Sequence, residues 1–195
     1  MTTPPSGASD PADQAMHEQR DERARQLLDH LGRPVRRALD LGCGRGETLS
    51  ALGVRGVGID LGILRLRLAP GPVAQADGAR LPFPAASFDV VLAMEVFSSI
   101  PAEGHRRVIA AEIVRTLTPD GVVLWYDQRW PSPANRATRP VSRHDLAGLF
   151  PGADRELETI TLAPALARAL PRQYQRLHHL GPLRSHLIGL LRPAG

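Results

Sequence analysis

Residues 37–51 read RALDLGCGRGETLSA. This pattern predicts a short buried strand, a glycine-rich turn and the start of a helix. Gly42, Gly44 and Gly46 carry no Cβ, so the backbone of the turn can bend sharply and come close to a bound molecule. Asp40 lies two residues before the first glycine, where its carboxylate can accept hydrogen bonds or pair with a cation. We expect a flat or extended ligand to lie on this turn.

Two further acids follow predicted strands. Asp60 ends VRGVGID, and Asp77 follows VAQA. In a doubly wound sheet, the acid about twenty residues after the glycine turn binds the hydroxyls of a ribose. NAD enzymes also use an acid at this position, so Asp60 alone does not identify the ligand. The turn itself reads G-x-G-x-G, whereas a dinucleotide fingerprint reads G-x-G-x-x-G. Three acids at three successive strand ends predict one nucleoside-type site.

The acid, the glycine spacing and the run LPFPAASFDVV at 81–91 resemble the class I S-adenosylmethionine (SAM) methyltransferases. This resemblance implies an α/β fold: a Rossmann-like seven-stranded sheet with helices on both faces and an antiparallel last strand. It implies SAM as cofactor, with the acid at Asp77 accepting from the adenine amino group. The expected cofactor-binding residues are Asp40, Gly42, Cys43, Gly44, Gly46, Asp60, Leu61, Asp77, Gly78, Ala79 and Met94.

The length of 195 residues fits one α/β domain. We expect a flexible tail at 1–13 and a single domain at 14–195. A dozen residues at 61–72 must hold the second crossover, so its helix should be a turn or two. Helix 103–117 should point Val108, Ile109, Ile113, Val114 and Leu117 inward. The remaining predictions are helices at 12–31 and 163–180, the latter interrupted by Pro171, and strands near 37–41, 54–60, 73–76, 88–94, 121–127, 157–162 and 186–191.

Composition limits the partners. The formal charge is +4 and the chain contains no lysine, so every basic residue besides histidine is arginine. Arginine side chains can bind the phosphates of nucleic acid, but the sequence has no basic run with interleaved aromatic residues on which bases could stack. We therefore expect a small-molecule acceptor and no nucleic-acid partner. The absence of lysine also argues against an oxidoreductase with a Tyr/Lys pair.

Cys43 is the only cysteine, which excludes an internal disulfide and favours a reducing compartment. Its position in the turn favours packing over nucleophilic chemistry. The N-terminal residues show no basic-then-apolar leader pattern, and no apolar stretch approaches the roughly twenty residues that cross a bilayer. We expect a cytoplasmic protein without a metal site and without stable membrane insertion.

The predicted fifth strand ends in VVLWYDQRW, and ligands of open α/β sheets lie beyond such strand ends. Tyr126, Arg129 and Trp130 are therefore candidate acceptor-binding residues. Methyl transfer needs the acceptor in line and removal of a hydroxyl proton. Asp127 is the candidate catalytic residue, as a base or as an orienting group. His144, His178 and His179 are its rivals.

The runs VFSSI, TPDGVVLWYD and RPVSRHDLAGLFPG are similar to short bacterial SAM methyltransferases associated with polysaccharide or natural-product biosynthesis. That resemblance implies a small natural-product or sugar-like acceptor. The chain has SSIP at 98–101 where many relatives have HHLP, so that histidine base is absent. The fourth strand ends in AMEV and lacks the N-P-P-Y or D-P-P-Y signature of amino-group methyltransferases. Oxygen is the favoured acceptor atom. Carbon, nitrogen or sulfur of a small molecule remains an alternative, and an NAD-binding oxidoreductase a more remote one.

Overall fold

The computed structural model describes residues 11–131, 137–170, 173–177 and 179–194. Short 3-10 turns lie at Phe97–Ser99 and Gly181–Leu183. In chain order the helices and strands are α1 (Pro11–Asp29), β1 (Ala38–Leu41), α2 (Thr48–Ala51), β2 (Gly56–Asp60), α3 (Ile63–Leu66), β3 (Val73–Gln75), β4 (Phe88–Met94), α4 (Glu103–Thr116), β5 (Leu117–Gln128), α5 (Arg143–Leu149), β6 (Asp154–Leu162), α6 (Pro164–Ala169), α7 (Tyr174–Leu177) and β7 (Arg184–Arg192).

The seven strands form one sheet in the order β3-β2-β1-β4-β5-β7-β6. Neighbours from β3 to β5 are parallel, and β7 runs antiparallel to both β5 and β6. The predicted Rossmann-like sheet with an antiparallel last strand is confirmed. Strand order reverses beside β1, and this reversal opens a crevice at the carboxyl ends of β1 and β4.

Helices cover both faces of the sheet, as predicted. Alternate residues of β4 point to opposite faces. Val91 and Ala93 pack with Ile109 and Ile113 of α4 in one apolar cluster. On the other face, Val90, Leu92 and Met94 pack beneath α1. All four residues of β1 are buried, as expected for a strand that is covered on both faces of the sheet.

Two expectations about packing and strand bounds differ from the structure. Val108 was expected inward, but 49% of it is exposed. Ile109 and Ile113 define the buried stripe of α4, and Val108 lies outside that stripe. The TPDG segment at 118–121 lies largely before the strand expected near 121–127, but it belongs to β5, whose register with β4 shifts between Leu117 and Val122. The shift accommodates the turn-forming residues within the strand.

The short second crossover holds a helix of four residues, α3, in line with the length argument. Helix α1 begins at Pro11, so the predicted tail at 1–13 overlaps its first turn. Residues 1–10, together with Pro171 and the candidate base His178, lie outside the described residues.

Candidate active site

The glycine turn after β1 has the sharp backbone that its sequence predicts. Gly42, Gly44 and Gly46 have φ of 68°, 56° and 73°, in the left-handed region that favours glycine. The turn is closed by the Gly46 amide, which donates to the Cys43 carbonyl at 2.8 Å. A Cβ built on Gly44 would meet no protein atom within 4 Å, so the surface of the turn is open there.

Cys43 points away from this open surface. Its Sγ would lie 2.6 Å from a Cβ built on Gly58, so the thiol fills the space that this glycine leaves free. Burial, with the negative charges of Asp40 and Asp60, raises the pKa of the thiol to about 12. Cys43 is therefore protonated and packed at neutral pH, which suits a structural role.

Asp60 ties the end of β2 to the glycine turn. Its Oδ2 accepts from the Gly44 amide at 3.0 Å. Its Oδ1 accepts from the Gly62 amide at 2.7 Å and from the Arg65 guanidinium at 2.9 Å. The carboxylate is 7% exposed, whereas the Arg65 side chain is 63% exposed. Arg65 can therefore swing into solvent and free an acceptor position on Asp60 for ligand hydroxyls.

Asp40 is nearly inaccessible, and its Oδ2 has no hydrogen-bond partner within the described part of the chain. Burial raises its pKa to about 7, although the positive charge of Arg20 and a hydrogen bond from Thr48 oppose the shift. An orphaned carboxylate oxygen is costly unless something donates to it. Asp40 is thus suited to accept from a cationic group of a ligand seated on the turn.

A cavity beyond β1, β2 and β4 gathers several predicted residues. Asp60 and Asp77 lie on its wall, and the Asp77 Oδ1 accepts from the Ala79 amide at 2.8 Å. Apolar side chains that sequence reasoning did not select, Val96, Ile100 and Ile109, complete the wall. For Val96 and Ile100 the signal was available, since residues 95–100 directly follow β4. Of the expected cofactor residues, the cavity is also lined by Gly42, Leu61 and Gly78.

The expected residue Met94 lies elsewhere, in the apolar cluster beneath α1. His144, one of the rivals for the base, is also absent from the lining of this cavity. His144 lines a separate surface cavity with Arg106 and Arg139, between α4 and α5.

The structure separates the predicted acceptor residues onto different faces of β5. Tyr126 packs on the α1 face, while Trp125 packs on the α4 face, and Asp127 follows Trp125 by two residues and shares its face. Arg129 donates to the Arg184 carbonyl at 3.0 Å, and its guanidinium lies 4.4 Å from the centre of the Trp130 ring. Trp130 is 40% exposed.

Asp127 is completely buried. Its Oδ2 accepts from the Ser98 amide at 3.0 Å, and its Oδ1 accepts from the Gln128 amide at 2.8 Å. Burial raises its pKa to about 6, against the lowering effect of these hydrogen bonds. The carboxylate therefore fixes the turn at Phe97–Ser99, next to Val96 and Ile100 of the cavity.

A polar group that sequence reasoning missed lies on the α1 face. Glu95 follows β4, and His186 lies in β7 with its ring stacked on Tyr126 at 4.8 Å between ring centres. The His186 Nε2 is 3.7 Å from Glu95 Oε1. The sequence signals were a histidine inside an apolar strand and an acid immediately after β4.

The described residues bring together no group of three or more His, Cys, Asp or Glu side chains that could hold a metal ion. Among the helices in the described ranges, none combines the length and apolarity needed to cross a membrane.

Comparison with known proteins agrees with this geometry. Residues 39–125 match the family model described as a methyltransferase domain. A nocamycin O-methyltransferase from Saccharothrix syringae is 38% identical, with the match covering 50% of this chain and 40% of that protein. The chain thus spans about 40% of the length of this curated relative.

Solved structures share the fold. A SAM-dependent methyltransferase from Archaeoglobus fulgidus superposes with a TM-score of 0.66 at 15% identity, covering 92% of this chain and 96% of that one. The [4+2]-cyclase SpnF superposes with a TM-score of 0.66 at 17% identity, covering 90% of this chain and 82% of that one. At sequence identities this low, the superpositions show a shared fold only. The reaction has to be inferred from the residues of the site.

Proposed function

Because the chain belongs to the class I SAM-dependent methyltransferases, whose cofactor is SAM, we propose that it methylates a hydroxyl oxygen of a small natural-product or sugar-like acceptor. The observation that carries the proposal is the unpartnered Asp40 oxygen beside the open glycine turn. That oxygen suits the ammonium group of SAM, and the turn suits close approach of its amino-acid part.

The remaining residues fit the nucleoside part of the cofactor. Asp60 offers carboxylate oxygens for the ribose hydroxyls once Arg65 moves aside. Asp77 is half exposed at the cavity wall, where its carboxylate can accept from the adenine amino group. Val96, Ile100 and Ile109 supply apolar contacts for a ring. SAM, when bound, supplies an electrophilic methyl group on a sulfonium, so the protein needs to position the acceptor and remove its proton.

Support for oxygen as the acceptor atom comes from two observations. The matched relative is named an O-methyltransferase, and AMEV at the end of β4 differs from the N-P-P-Y of amino-group enzymes. We assign Asp127 the orienting role between the two roles expected for it, because both of its oxygens already accept backbone amides. Trp130 and the Arg129 guanidinium stacked on it form the exposed part of the acceptor surface.

The test uses SAM carrying a labelled methyl group and acceptor sets matched in scaffold. Each set holds a phenol or sugar alcohol with its thiol and amine analogues, so that the acceptor atom is the only variable. We expect label to transfer to oxygen. Transfer to nitrogen, sulfur or carbon in preference to oxygen would overturn the choice of atom, and SAM binding without transfer to any acceptor would overturn the proposed activity.

A further inference from the structure

Glu95 and His186 meet at the carboxyl end of β4, although they come from distant parts of the chain. The His186 side chain is 1% exposed, whereas Glu95 is 39% exposed. At 3.7 Å, the His186 Nε2 is within ion-pair reach of Glu95 Oε1 but beyond hydrogen-bond distance. Among the described residues, Nε2 has no hydrogen-bond partner. The pair therefore has an exposed carboxylate in front and a buried, unsatisfied ring nitrogen behind it.

The other ring nitrogen fixes the tautomer. The Thr161 hydroxyl donates to the Ile160 carbonyl at 2.7 Å, and its oxygen lies 2.7 Å from the His186 Nδ1. A hydroxyl has one proton, so with that proton on Ile160 its oxygen accepts from Nδ1–H. The Ser185 hydroxyl oxygen lies 2.9 Å from the same nitrogen and can also accept from Nδ1–H. In the neutral ring this leaves the lone pair on Nε2, directed at Glu95.

The backbone around the pair is strained. Glu95 and Thr161 are two of the three non-glycine residues with left-handed φ among those described, at 58° and 56°. Such conformations cost roughly 1–3 kcal/mol each and cluster at functional sites. The strained position of Glu95 is held by its amide, which donates to the Tyr126 carbonyl at 2.7 Å. The fold thus maintains an unfavourable backbone at the two residues that place the carboxylate and lock the ring.

Charged groups connect this pair to the cofactor turn. Arg20 of α1 lies over the Tyr126 ring, 6.0 Å from its centre, and interacts electrostatically with both Glu95 and Asp40. Burial raises the pKa of Glu95, but His186, Arg20 and His17 outweigh it and lower the pKa overall. Glu95 is therefore ionised at neutral pH. The groups that face the pair are Arg20 and His17 from α1 and Tyr126 from β5. Asp127, on the other face of the sheet, interacts electrostatically with Glu95.

We infer that Glu95 and His186 form the proton-accepting pair of this enzyme, an inference that rests on the proposed methyl transfer to oxygen. Glu95 touches the acceptor and is the catalytic residue, and His186 is a positioning residue that receives the proton through it. The acceptor hydroxyl donates to Glu95. As its oxygen bonds to the methyl carbon, the methyl–sulfur bond breaks and leaves its electron pair on sulfur. The hydroxyl proton ends on Nε2 of His186, which gives an imidazolium beside a carboxylate.

The first test needs no acceptor. Nitrogen-15 NMR of the histidine side chains is recorded over a pH series with S-adenosylhomocysteine (SAH) present, for the full chain and for Glu95→Gln. Glu103→Gln serves as control, because Glu103 is an exposed glutamate on α4 that pairs with Arg107. We expect the neutral His186 ring to carry its proton on Nδ1. Its Nε2 resonance should differ between the parent and Glu95→Gln, and should be the same in the parent and the Glu103→Gln control.

Thr161 provides a matched pair of variants that preserve the core. Thr161→Ser keeps the hydroxyl and should keep the Nδ1–H tautomer, whereas Thr161→Val keeps the shape and should give a mixture of tautomers. A neutral ring protonated on Nε2 in the parent, or the same Nε2 resonance in parent and Glu95→Gln, would overturn the inference. Both readouts concern the ring itself, so neither depends on knowing the acceptor.

The second test measures turnover with the oxygen acceptor found in the labelled-methyl assay. Glu95→Gln should lower kcat by about 10²-fold or more while the Kd for SAH stays within about twofold. The acid limb of its pH profile should move to lower pH. Equal kcat in Glu95→Gln and Glu103→Gln would refute the pair while leaving the proposed function intact. Failure of the parent to methylate any hydroxyl would instead contradict the proposed function, and the NMR result would still decide whether the pair shares a proton.

Discussion

Replacing Asp60 with Asn tests the link between the cofactor turn and β2. The carboxylate accepts from the Gly44 and Gly62 amides at 3.0 and 2.7 Å, one on each oxygen. Asn keeps the shape but turns one of these acceptors into an NH₂ donor facing a backbone N–H. Losing one hydrogen bond to a charged group costs roughly 1.5–3 kcal/mol. The same substitution removes an acceptor for the ribose hydroxyls, so the Kd for SAH should rise by about 10- to 100-fold.

Isothermal titration calorimetry with SAH measures the Kd, and thermal unfolding measures stability in parallel. Asp89→Asn is the matched control. Asp89 also accepts from two backbone amides, those of Arg36 and Arg37 at 2.9 and 3.0 Å, but at the start of β4. We expect both variants to lose stability and only Asp60→Asn to lose affinity. A folded Asp60→Asn protein with the parent Kd, or equal loss of affinity in both variants, would refute the reasoning.

Four further predictions concern the same site. Gly44→Val should fold yet lose SAH binding, because the added side-chain branches enter the open space above the turn. Gly32→Val is the control: Gly32 has a φ of 65° and equally open surroundings, and this variant should bind SAH as the parent does. Normal SAH binding by Gly44→Val would place the cofactor elsewhere. Asp40 has a pKa of about 7 against an ordinary 3.8, so the folded chain keeps a proton that the unfolded chain loses, and stability should fall as pH rises through that window. SAH binding should tighten between about pH 6 and about pH 8 as Asp40 ionises, and a slope that survives in Asp40→Asn would exclude it as the cause. Asp127→Asn should slow turnover and change the affinity for SAH little. The decrease in turnover should be smaller than the 10²- to 10⁴-fold typical of a lost general base, because the role of Asp127 is to hold the Ser98 amide.

The sequence was most informative where function and local pattern coincide. Asp40, Asp60 and Asp77 each follow a short apolar run, so their strands and the relative positions of the acids could be predicted together. The length of the second crossover also sufficed to predict a helix as short as α3. These features depend on residues close together in the chain, which is why no long-range information was needed.

Long-range relations were harder to predict. Tyr126 and Asp127 are adjacent in sequence, yet strand alternation sends them to opposite faces, and only the packing of α1 and α4 tells which face is which. His186 is hidden within an apolar strand, and its role depends on Glu95, which follows β4, and on Thr161 from β6. No local pattern records that these three side chains meet. Val108 shows the same limit in a helix, because the periodicity allowed a wider buried stripe than α4 has.

The most direct test of the cofactor assignment is calorimetry of the unaltered chain with SAM, SAH and NAD. The orphaned Asp40 oxygen, the left-handed glycine turn and the acids at the ends of β1 to β3 predict micromolar Kd values for SAM and SAH and no measurable binding of NAD. Binding of NAD without binding of SAM or SAH would contradict the account.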